Sequence, residues 1–292
     1  RALLAQIRYD DDHFLFEPIY RLVTIALSDP EPKVREMILR SFNSKCSRFL
    51  TTEPILTCIT TLLKDEKITV SIAAIELLGE ISKLNPFDTL PLLRSLLLDG
   101  LLLVDSPGTL RAKEEMTRSF LTIINAAEAI LPVYCPTFCL ISLRQLSFTP
   151  LCELTYFDQT YLDNINLNIT KAIGIIAERD VSLIITHIPQ FTSFFIWLLQ
   201  QHGPKQLKIA IVTTLYKMLS SQNTIGIIDV APVFTALTTI ASKWNSRKLN
   251  LAVLKLIGLI GAIDQSTNNS DNSSKLQSSI KPSNPSYGMS LA

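Results

Sequence analysis

The feature that most constrains this chain is a helical pattern that recurs along it at an almost constant interval. The first clear copy begins at Val70, where apolar residues stand at offsets 0, 3, 4, 7, 8 and 11, the positions that share one face of an α-helix. The same pattern begins at Ile165, Leu207 and Leu249, and a looser copy begins at Ala112. Successive starts are about 42 residues apart, except for a longer step from Ala112 to Ile165, and a repeated interval of this length predicts a repeated structural unit.

A second apolar helix is predicted before each copy of the pattern. In chain order these predicted helices span Glu53–Lys64, Asp88–Leu103, Pro136–Leu146, Phe191–Gln200 and Ala231–Lys243. A shorter pair, Phe14–Leu27 and Lys33–Phe49, precedes them. Proline, glycine and charged residues separate the segments, as expected of turns between helices. The extra residues of the longer step are assigned to a long loop over Ser147–Tyr161.

About six antiparallel helix pairs at an interval of about 42 residues predict an all-α solenoid of the HEAT or armadillo kind. Armadillo repeats usually carry a third short helix, for which the interval leaves no room, so the HEAT type is favoured. Serine and asparagine dominate residues 265–292, and such a segment buries too little apolar surface to offset its ordering entropy. The predicted domains are therefore a HEAT-type α-solenoid over residues 1–264 and a disordered linker over residues 265–292.

Glycine stands at offset 9 of three copies of the pattern, as Gly79, Gly174 and Gly258. Glycine inside a helix costs about 1 kcal/mol relative to alanine, so we expect a neighbouring helix to approach closely at each of these positions. Tyr216 stands at offset 9 of the copy that begins at Leu207. This bulky residue predicts looser or differently tilted packing there.

The net charge of the chain limits the classes of ligand that it is expected to bind. The chain carries 27 Lys and Arg against 26 Asp and Glu, for a net charge of +1. That balance argues against a general nucleic-acid or anionic-membrane binder, because both need a clustered positive excess. The small basic cluster of Lys243, Arg247 and Lys248 is interpreted as a solvated helix end.

One stretch has the length and apolar composition of a membrane-spanning helix. Val181–Pro204 contains no charged Lys, Arg, Asp or Glu and is long enough to cross a bilayer. However, Pro189 splits it, and it also carries histidine and glutamine residues. We interpret it as a buried helix pair and predict no integral membrane span. The chain has no signal segment after Arg1 and is expected to be a piece of a longer protein.

The sequence predicts no metal site. The three histidines, at positions 13, 187 and 202, have no second His or Cys at ligand spacing. Cys135 and Cys139 would share a helix face, but two thiols alone do not complete a tetrahedral zinc site. The five cysteines are interpreted as buried free thiols in a reducing compartment. They stand at positions 46, 58, 135, 139 and 152.

No catalytic or cofactor-binding group is predicted either. The Gly258–Gly261 segment lies inside an apolar helix, whereas a phosphate cradle needs a glycine-rich turn at a helix start. Glu114 and Glu115 are assigned to the start of a helix, where they would favour its macrodipole. We therefore predict that this segment has no catalytic residue, no cofactor-binding residue, no metal ligand and no cofactor.

Several short segments of the sequence resemble those of a known protein family. Ile75–Pro86, followed by Leu90–Arg94, resembles the amino-terminal HEAT region of target-of-rapamycin (TOR) kinases. There, a helix ending in a Gly-Arg-Leu-Ser-x-x-Asn-Pro type sequence precedes a Pro-x-Leu-Arg helix. Arg111–Glu115 resembles the Lys-Glu that opens the family's next helix, and Leu256–Asp264 resembles its Leu-Gly-Leu-Leu-Gly-Ala-Leu-Asp close. The landmarks keep the family's order and frame residues 31–264.

The chain also departs from the family pattern. Gln265 stands where relatives have proline, and Tyr216 stands where they have glycine. Leu131–Tyr134 keeps the Pro and Tyr of the family but lacks the arginines that precede them in relatives. These differences indicate a divergent member.

The resemblance implies a non-catalytic scaffold segment of a TOR-like serine/threonine kinase, of the phosphatidylinositol-3-kinase-related type, whose catalytic domain lies outside this chain. It implies protein partners: a raptor-like subunit as in TORC1, or the alternative complex subunits, and a second copy of the parent kinase. The parent would act in nutrient-responsive growth signalling. We expect it in the cytoplasm, with peripheral attachment to endomembranes through its partners.

A different class of function is the alternative: a HEAT-repeat transport receptor or coat adaptor that binds protein cargo. Acidic rows along the inner helices would favour a karyopherin-type receptor. The sequence does not contain such rows.

Overall fold

The computed structural model describes residues 12–42, 46–147, 154–221, 224, 226–243 and 246–278. Within these ranges the regular elements are all helical. The α-helices are α1 (Asp12–Ser28), α2 (Pro32–Leu39), α3 (Ser47–Leu50), α4 (Glu53–Leu62), α5 (Ile68–Ser82), α6 (Pro86–Asp105), α7 (Leu110–Ala126), α8 (Leu131–Leu146), α9 (Tyr156–Arg179), α10 (Ile188–Gln200), α11 (Lys205–Leu219), α12 (Val230–Lys243) and α13 (Arg247–Ser278). Two 3₁₀ helices, Glu128–Ile130 and Val181–His187, precede α8 and α10.

The α-helices stack as two layers. The first helices of the pairs (α1, α4, α6, α8, α10 and α12) form what we call the A layer. The second helices (α2, α5, α7, α9, α11 and α13) form the B layer, in which each helix contacts the next along the whole series. All copies of the recurring sequence pattern lie in the B layer. This arrangement is a HEAT-type α-solenoid, and the predicted fold class is confirmed.

The core runs along the stack between the two layers. It is one continuous cluster of buried apolar side chains from Ile19 in α1 to Ile260 in α13. The positions of the recurring pattern face it: Val70, Leu78 and Ile81 are fully buried. Burying one such side chain contributes about 1.5–3 kcal/mol, and each helix pair covers the apolar face of its neighbour.

The structure differs from the predicted helix boundaries near the first repeat. The single helix predicted over Lys33–Phe49 is two helices, because α2 ends at Leu39 and α3 begins at Ser47. At the end of α2 the Ser41 hydroxyl donates a hydrogen bond to the carbonyl oxygen of Ile38 at 2.6 Å. Such side-chain bonds compete with the backbone bonds that would continue a helix. Residues 43–45 lie outside the described residues.

The long loop is shorter than predicted. It was expected over Ser147–Tyr161, but α9 already begins at Tyr156. The Thr155 hydroxyl accepts the backbone N–H of Asp158 at 3.2 Å and donates to the Asp158 carboxylate at 2.6 Å. This reciprocal cap stabilises a helix start, and the Thr-x-x-Asp spacing that encodes it is visible in the sequence. Residues 148–153 lie outside the described residues.

Helix α13 extends beyond the predicted end of the solenoid. The apolar pattern stops near Ile263, yet the helix continues to Ser278. Residues 265–278 are therefore helical where an irregular segment was expected. Adding residues to an existing helix is far less costly than nucleating one, which explains a helical continuation without an apolar face. Residues 279–292 lie outside the described residues, and the disordered linker stays a prediction.

The stretch Val181–Gln200 is long and apolar enough to cross a membrane by length and composition alone. The structure divides it into the 3₁₀ helix Val181–His187 and α10, so the predicted helix pair is one 3₁₀ segment and one α-helix. Pro189 stands in the first turn of α10, where proline is tolerated. Phe191 and Phe195 are fully buried in the core of the solenoid.

Candidate interaction surface

Glycine brings successive B-layer helices together at two places. A Cβ atom built on Gly79 would stand 2.4 Å from the Cβ of Ala126 in α7, and one built on Gly174 would stand 2.6 Å from Oγ1 of Thr214 in α11. A side chain at Gly79 would push the two helices apart, because backbone atoms of Ala126 would lie only 3.1 Å away, whereas at Gly174 the close atom belongs to the Thr214 side chain. The close approach predicted at these two glycines is confirmed. At Gly258 the prediction is wrong, because a Cβ built there has no other part of the described chain within 4 Å, and no described B-layer helix follows α13.

Buried polar contacts tie the same helices together. Thr214 of α11 donates a hydrogen bond to the carbonyl oxygen of Thr170 in α9 at 3.0 Å. Asn168 of α9, a polar residue at offset 3 of the pattern that begins at Ile165, donates to the hydroxyl of Thr117 in α7 at 3.4 Å. Satisfied polar groups of this kind add little net stability but are costly to leave unpaired. They therefore favour one register between neighbouring helices.

Ion pairs connect neighbouring repeats, one of them largely buried and one exposed. The guanidinium of Arg35 makes two hydrogen bonds to the Asp65 carboxylate, at 2.8 and 2.9 Å. The Arg144 guanidinium lies 2.6 Å from the Asp105 carboxylate in the preceding A-layer helix. The exposed Arg144–Asp105 pair contributes little stability by itself, whereas the largely buried Arg35–Asp65 pair would be costly to break by removing one partner. Both pairs orient neighbouring repeats.

The packing changes where Tyr216 replaces glycine. Its side chain is 39% exposed and lines a cavity of about 910 Å³ beside the ends of α9, α11 and α13. By contrast, Gly79 and Gly174 stand in close contact with the next helix. The looser packing predicted at Tyr216 is confirmed.

A second cavity, of about 700 Å³, adjoins the first and is lined by residues of α7, α9, α11 and α13. The two cavities share Thr213, Lys217 and Lys248, and we call them together the B-layer groove. Five basic side chains line it, namely Lys171, Arg179, Lys217, Lys248 and Lys255. Two acidic side chains line it, Glu178 and Asp180. The groove is therefore positively charged although the whole chain is nearly neutral.

Two of these groove residues are already engaged in the fold. The Lys217 ammonium lies 2.5 Å from the Glu178 carboxylate, and this hydrogen bond lowers the pKa of Glu178. Arg179 donates to the carbonyl oxygens of Ile124 and Asn125 near the end of α7. The sequence alone indicates that Lys248 is part of a solvated helix end. The groove has no signal in the sequence, since the lysines that line it come from three helices far apart in the chain.

The acidic residues of α7 are placed differently from the prediction. Helix α7 begins at Leu110 and has no acidic residue in its first turn, so the macrodipole explanation for Glu114 and Glu115 is wrong. Partial burial raises the pKa of Glu114. Glu115 instead accepts a hydrogen bond from Arg111 one turn earlier, at 3.2 Å.

Two of the cysteines lie close together in the core. Cys135 and Cys139 are buried on one face of α8 with their sulfur atoms 3.8 Å apart. The hydrogen bond with Cys135, together with burial, raises the pKa of Cys139, so it stays a neutral thiol. Cys46 is also buried, Cys58 is partly exposed, and Cys152 lies outside the described residues. In the described part of the chain no three His, Cys, Asp or Glu side chains come together as a metal site would require.

The chain is similar in sequence to TOR kinases. It is 22% identical over 282 residues to serine/threonine-protein kinase TOR2 of Saccharomyces cerevisiae. It is 22% identical over 254 residues to tor1 of Schizosaccharomyces pombe and 24% identical over 254 residues to TOR of Oryza sativa. These alignments cover 96%, 86% and 84% of this chain. They cover only 11%, 10% and 10% of the kinases, so the chain spans about a tenth of the relatives' length. No protein-family profile matches it.

Solved structures support the fold. The crystal structure of an engineered protein superposes with a TM-score of 0.55 at 13% identity, covering 84% of this chain and 98% of that one. A designed armadillo repeat protein superposes with a TM-score of 0.50 at 14% identity, covering 82% of this chain and 99% of that one. At these identities the likeness shows a helical-repeat fold and nothing about function.

The matched segment is not the catalytic part of a kinase. A kinase catalytic domain places its phosphate-binding lysine on a β-strand and covers the nucleotide with a glycine-rich loop, whereas the described residues of this chain form helices only. The resemblance seen in the residues is confirmed by the alignments. The chain is similar in sequence to about a tenth of the length of the target-of-rapamycin serine/threonine kinases, and this matched part is distinct from their catalytic domain.

Proposed function

We propose that this chain is a non-catalytic scaffold segment of a TOR-like kinase and that it supports the protein contacts that assemble the kinase complex. One observation carries the proposal: a continuous helical stack aligns over 96% of its length with only 11% of TOR2. A solenoid exposes a long surface built from one helix of each pair, which suits extended contacts with other proteins.

The proposal includes the class of partner. A raptor-like subunit or the subunits of the alternative complex, together with a second copy of the parent kinase, would contact this segment. The parent would act in nutrient-responsive growth signalling in the cytoplasm and reach endomembranes through its partners. The ion pair and hydrogen bonds that tie neighbouring repeats support a scaffold role, because they hold distant parts of a binding surface in fixed relation.

The alternative of a cargo receptor is less well supported. A karyopherin-type receptor would carry acidic rows along its inner helices. The B-layer groove instead has five basic and two acidic side chains.

The test removes one repeat from the full-length kinase. Deleting Ile188–Asp229 removes a segment as long as the regular repeat interval and takes out α10 and α11 together. The remaining repeats can close the gap only by changing the curvature of the stack, so distant partner sites lose their alignment. We expect recovery of the partner subunits to fall, while the kinase keeps its activity toward a small peptide substrate.

Two results would contradict the scaffold role. One is unchanged recovery of the partners by the deletion variant. The other is loss of peptide phosphorylation with the complex still intact. Gel filtration of the variant controls for aggregation, because repeat arrays with exposed apolar faces are prone to it.

A further inference from the structure

We propose that the B-layer groove binds an acidic, extended segment of a protein partner, an inference that rests on the proposed scaffold function. The groove lies across three successive B-layer helices, α9, α11 and α13. The groove would recognise this segment through lysines that lie beside partly exposed apolar side chains.

The charge of the groove favours an acidic ligand. Lys171, Lys248 and Lys255 have exposed side chains and take part in none of the ion pairs of the described residues. Lys171 and Lys248 line the same cavity from α9 and α13, on either side of Lys217 in α11. Three lysines from three helices thus face one cavity, and two of them have no carboxylate partner there.

Apolar side chains between the lysines favour a peptide. Ile175 and Ile209 line the second cavity and are partly buried. Tyr216 and Leu251 line the first cavity and are 39% and 56% exposed. An extended peptide that alternates acidic and apolar side chains can direct one set to the lysines and the other set to these surfaces.

The spacing of the helices sets the length of the ligand. Packed helices lie about 8–10 Å apart, so the groove across α9, α11 and α13 spans about 20 Å. An extended chain advances about 3.3 Å per residue, so about six residues cross the groove. Within six residues, acidic side chains at alternate positions can reach Lys171 and Lys248, the two lysines of the second cavity that have no carboxylate partner in the described ion pairs.

A nucleic acid or an anionic membrane fits the groove less well. Both present a continuous array of phosphates, and Glu178 and Asp180 at the first cavity would repel it. The chain as a whole carries a net charge of only +1, which gives little long-range attraction for a polyanion. A peptide, by contrast, can have uncharged residues opposite the carboxylates of Glu178 and Asp180.

The test measures the binding of one defined probe to the complete 292-residue chain. The probe is a fluorescein-labelled peptide of about ten residues in which glutamate alternates with leucine, and the readout is fluorescence polarisation at low salt. We expect saturable binding that weakens with added salt. Lys248→Glu and Lys171→Glu should each raise the Kd by about fivefold or more, which corresponds to about 1 kcal/mol for one charge contact. Lys248→Gln should give a smaller increase, because it removes the charge without reversing it.

Matched controls separate the groove from general charge. Lys64 is exposed and lies beyond the end of α4, outside the groove, so Lys64→Glu should leave the Kd unchanged. A peptide with lysine in place of glutamate should not bind. Circular dichroism of each variant checks that the helical content is retained.

Several outcomes would overturn the inference. One is an equal loss of binding in Lys64→Glu, and another is equal binding of the lysine peptide. A third is tighter binding of a labelled single-stranded RNA, or of vesicles with anionic lipids, at the same salt concentration. If the groove variants bind the probe normally but the repeat deletion still disrupts the full-length complex, the inference fails while the scaffold function stands. If the deletion leaves the complex intact, the scaffold function fails whatever the peptide does.

Discussion

Gly79 of α5 lies directly against Ala126 of α7, so that a single added methyl group would stand 2.4 Å from the Cβ of Ala126. The contact also involves the Ala126 backbone, whose Cα and carbonyl oxygen would lie 3.1 Å from the added atom. A backbone neighbour cannot rotate away as a flexible side chain can. The separation of two B-layer helices is therefore limited by the absence of a side chain at one position.

Gly79→Ala is expected to destabilise the chain. Alanine is the better helix former by about 1 kcal/mol, but the clash with Ala126 forces the two helices apart, and overpacking typically costs about 1–3 kcal/mol. We expect a net loss, measured as a lower urea midpoint followed by circular dichroism at the helical band.

Gly258→Ala is the matched control for this substitution. Gly258 occupies the equivalent offset in α13. A Cβ added there has no other part of the described chain within 4 Å. We expect a midpoint equal to or above that of the unmodified chain, since only the helix propensity changes. Stabilisation by both substitutions would show that the close contact at Gly79 does not limit the packing.

Thr155→Ala is expected to weaken the start of α9. The substitution removes the hydroxyl that accepts the N–H of Asp158, and loss of such a cap costs about 1 kcal/mol. Hydrogen exchange at the Asp158 amide should accelerate by about fivefold. Thr155→Ser keeps the hydroxyl and should exchange at nearly the original rate, and equal acceleration in both variants would argue against the cap.

Glu114→Gln is expected to stabilise the chain at neutral pH. Burial raises the pKa of Glu114 above its ordinary value of 4.5, so the folded state holds its proton to a higher pH than the unfolded state. The stability of the unmodified chain therefore falls as the pH rises from the unfolded pKa through the raised folded pKa. We expect a higher thermal midpoint for Glu114→Gln at neutral pH and no difference in acid below the unfolded pKa.

Glu178→Gln should act in the opposite direction. The hydrogen bond from Lys217 lowers the pKa of Glu178 below 4.5, so this group stabilises the fold above the unfolded pKa. That contribution is lost as the pH falls through the lowered folded pKa. We expect a small decrease of the thermal midpoint at neutral pH, diminished by salt because the carboxylate is exposed. A shift of the same sign for both variants would contradict this assignment of the two carboxylates.

Lys208→Met is expected to destabilise the junction between α10 and α11. The Lys208 ammonium is buried and donates to the carbonyl oxygens of Leu199 and Gln201, at 3.1 and 3.0 Å. Methionine keeps much of the side-chain volume but provides no donor, and an unpaired buried carbonyl costs about 1–3 kcal/mol. We expect a lower urea midpoint. Lys205→Met, in the exposed first turn of the same helix, should have little effect, and equal losses in both would rule out a role for these hydrogen bonds.

The repeat and the core face of the B-layer helices follow from the amino-acid sequence alone. Positions such as Val70, Leu78 and Leu256 were assigned to one buried face, and the structure buries all three. This succeeds because a period near 3.6 residues is a local property of a helix and shows directly in the order of apolar residues. The regular interval between copies of the pattern then fixes the order of the repeats, since each pair contacts mainly its neighbours.

Helix boundaries were determined less completely, because they depend on single hydrogen bonds. The Thr155 cap is recognisable from its spacing to Asp158, although the loop predicted over Ser147–Tyr161 does not take it into account. The break after Leu39 has a weaker sequence signal, because Ser41 can lie inside a helix or end one.

The surroundings of each helix face follow from the way the helices stack. Gly79 and Gly258 occupy equivalent positions in the sequence, yet one has a neighbour at 2.4 Å and the other has none within 4 Å. In the same way, Lys171, Lys217 and Lys248 stand on three different helices, far apart in the chain, but line one cavity. A sequence pattern identifies which side of a helix faces its neighbours. The distance to those neighbours and the residues they present depend on how the helices stack, and that is a property of the assembled solenoid.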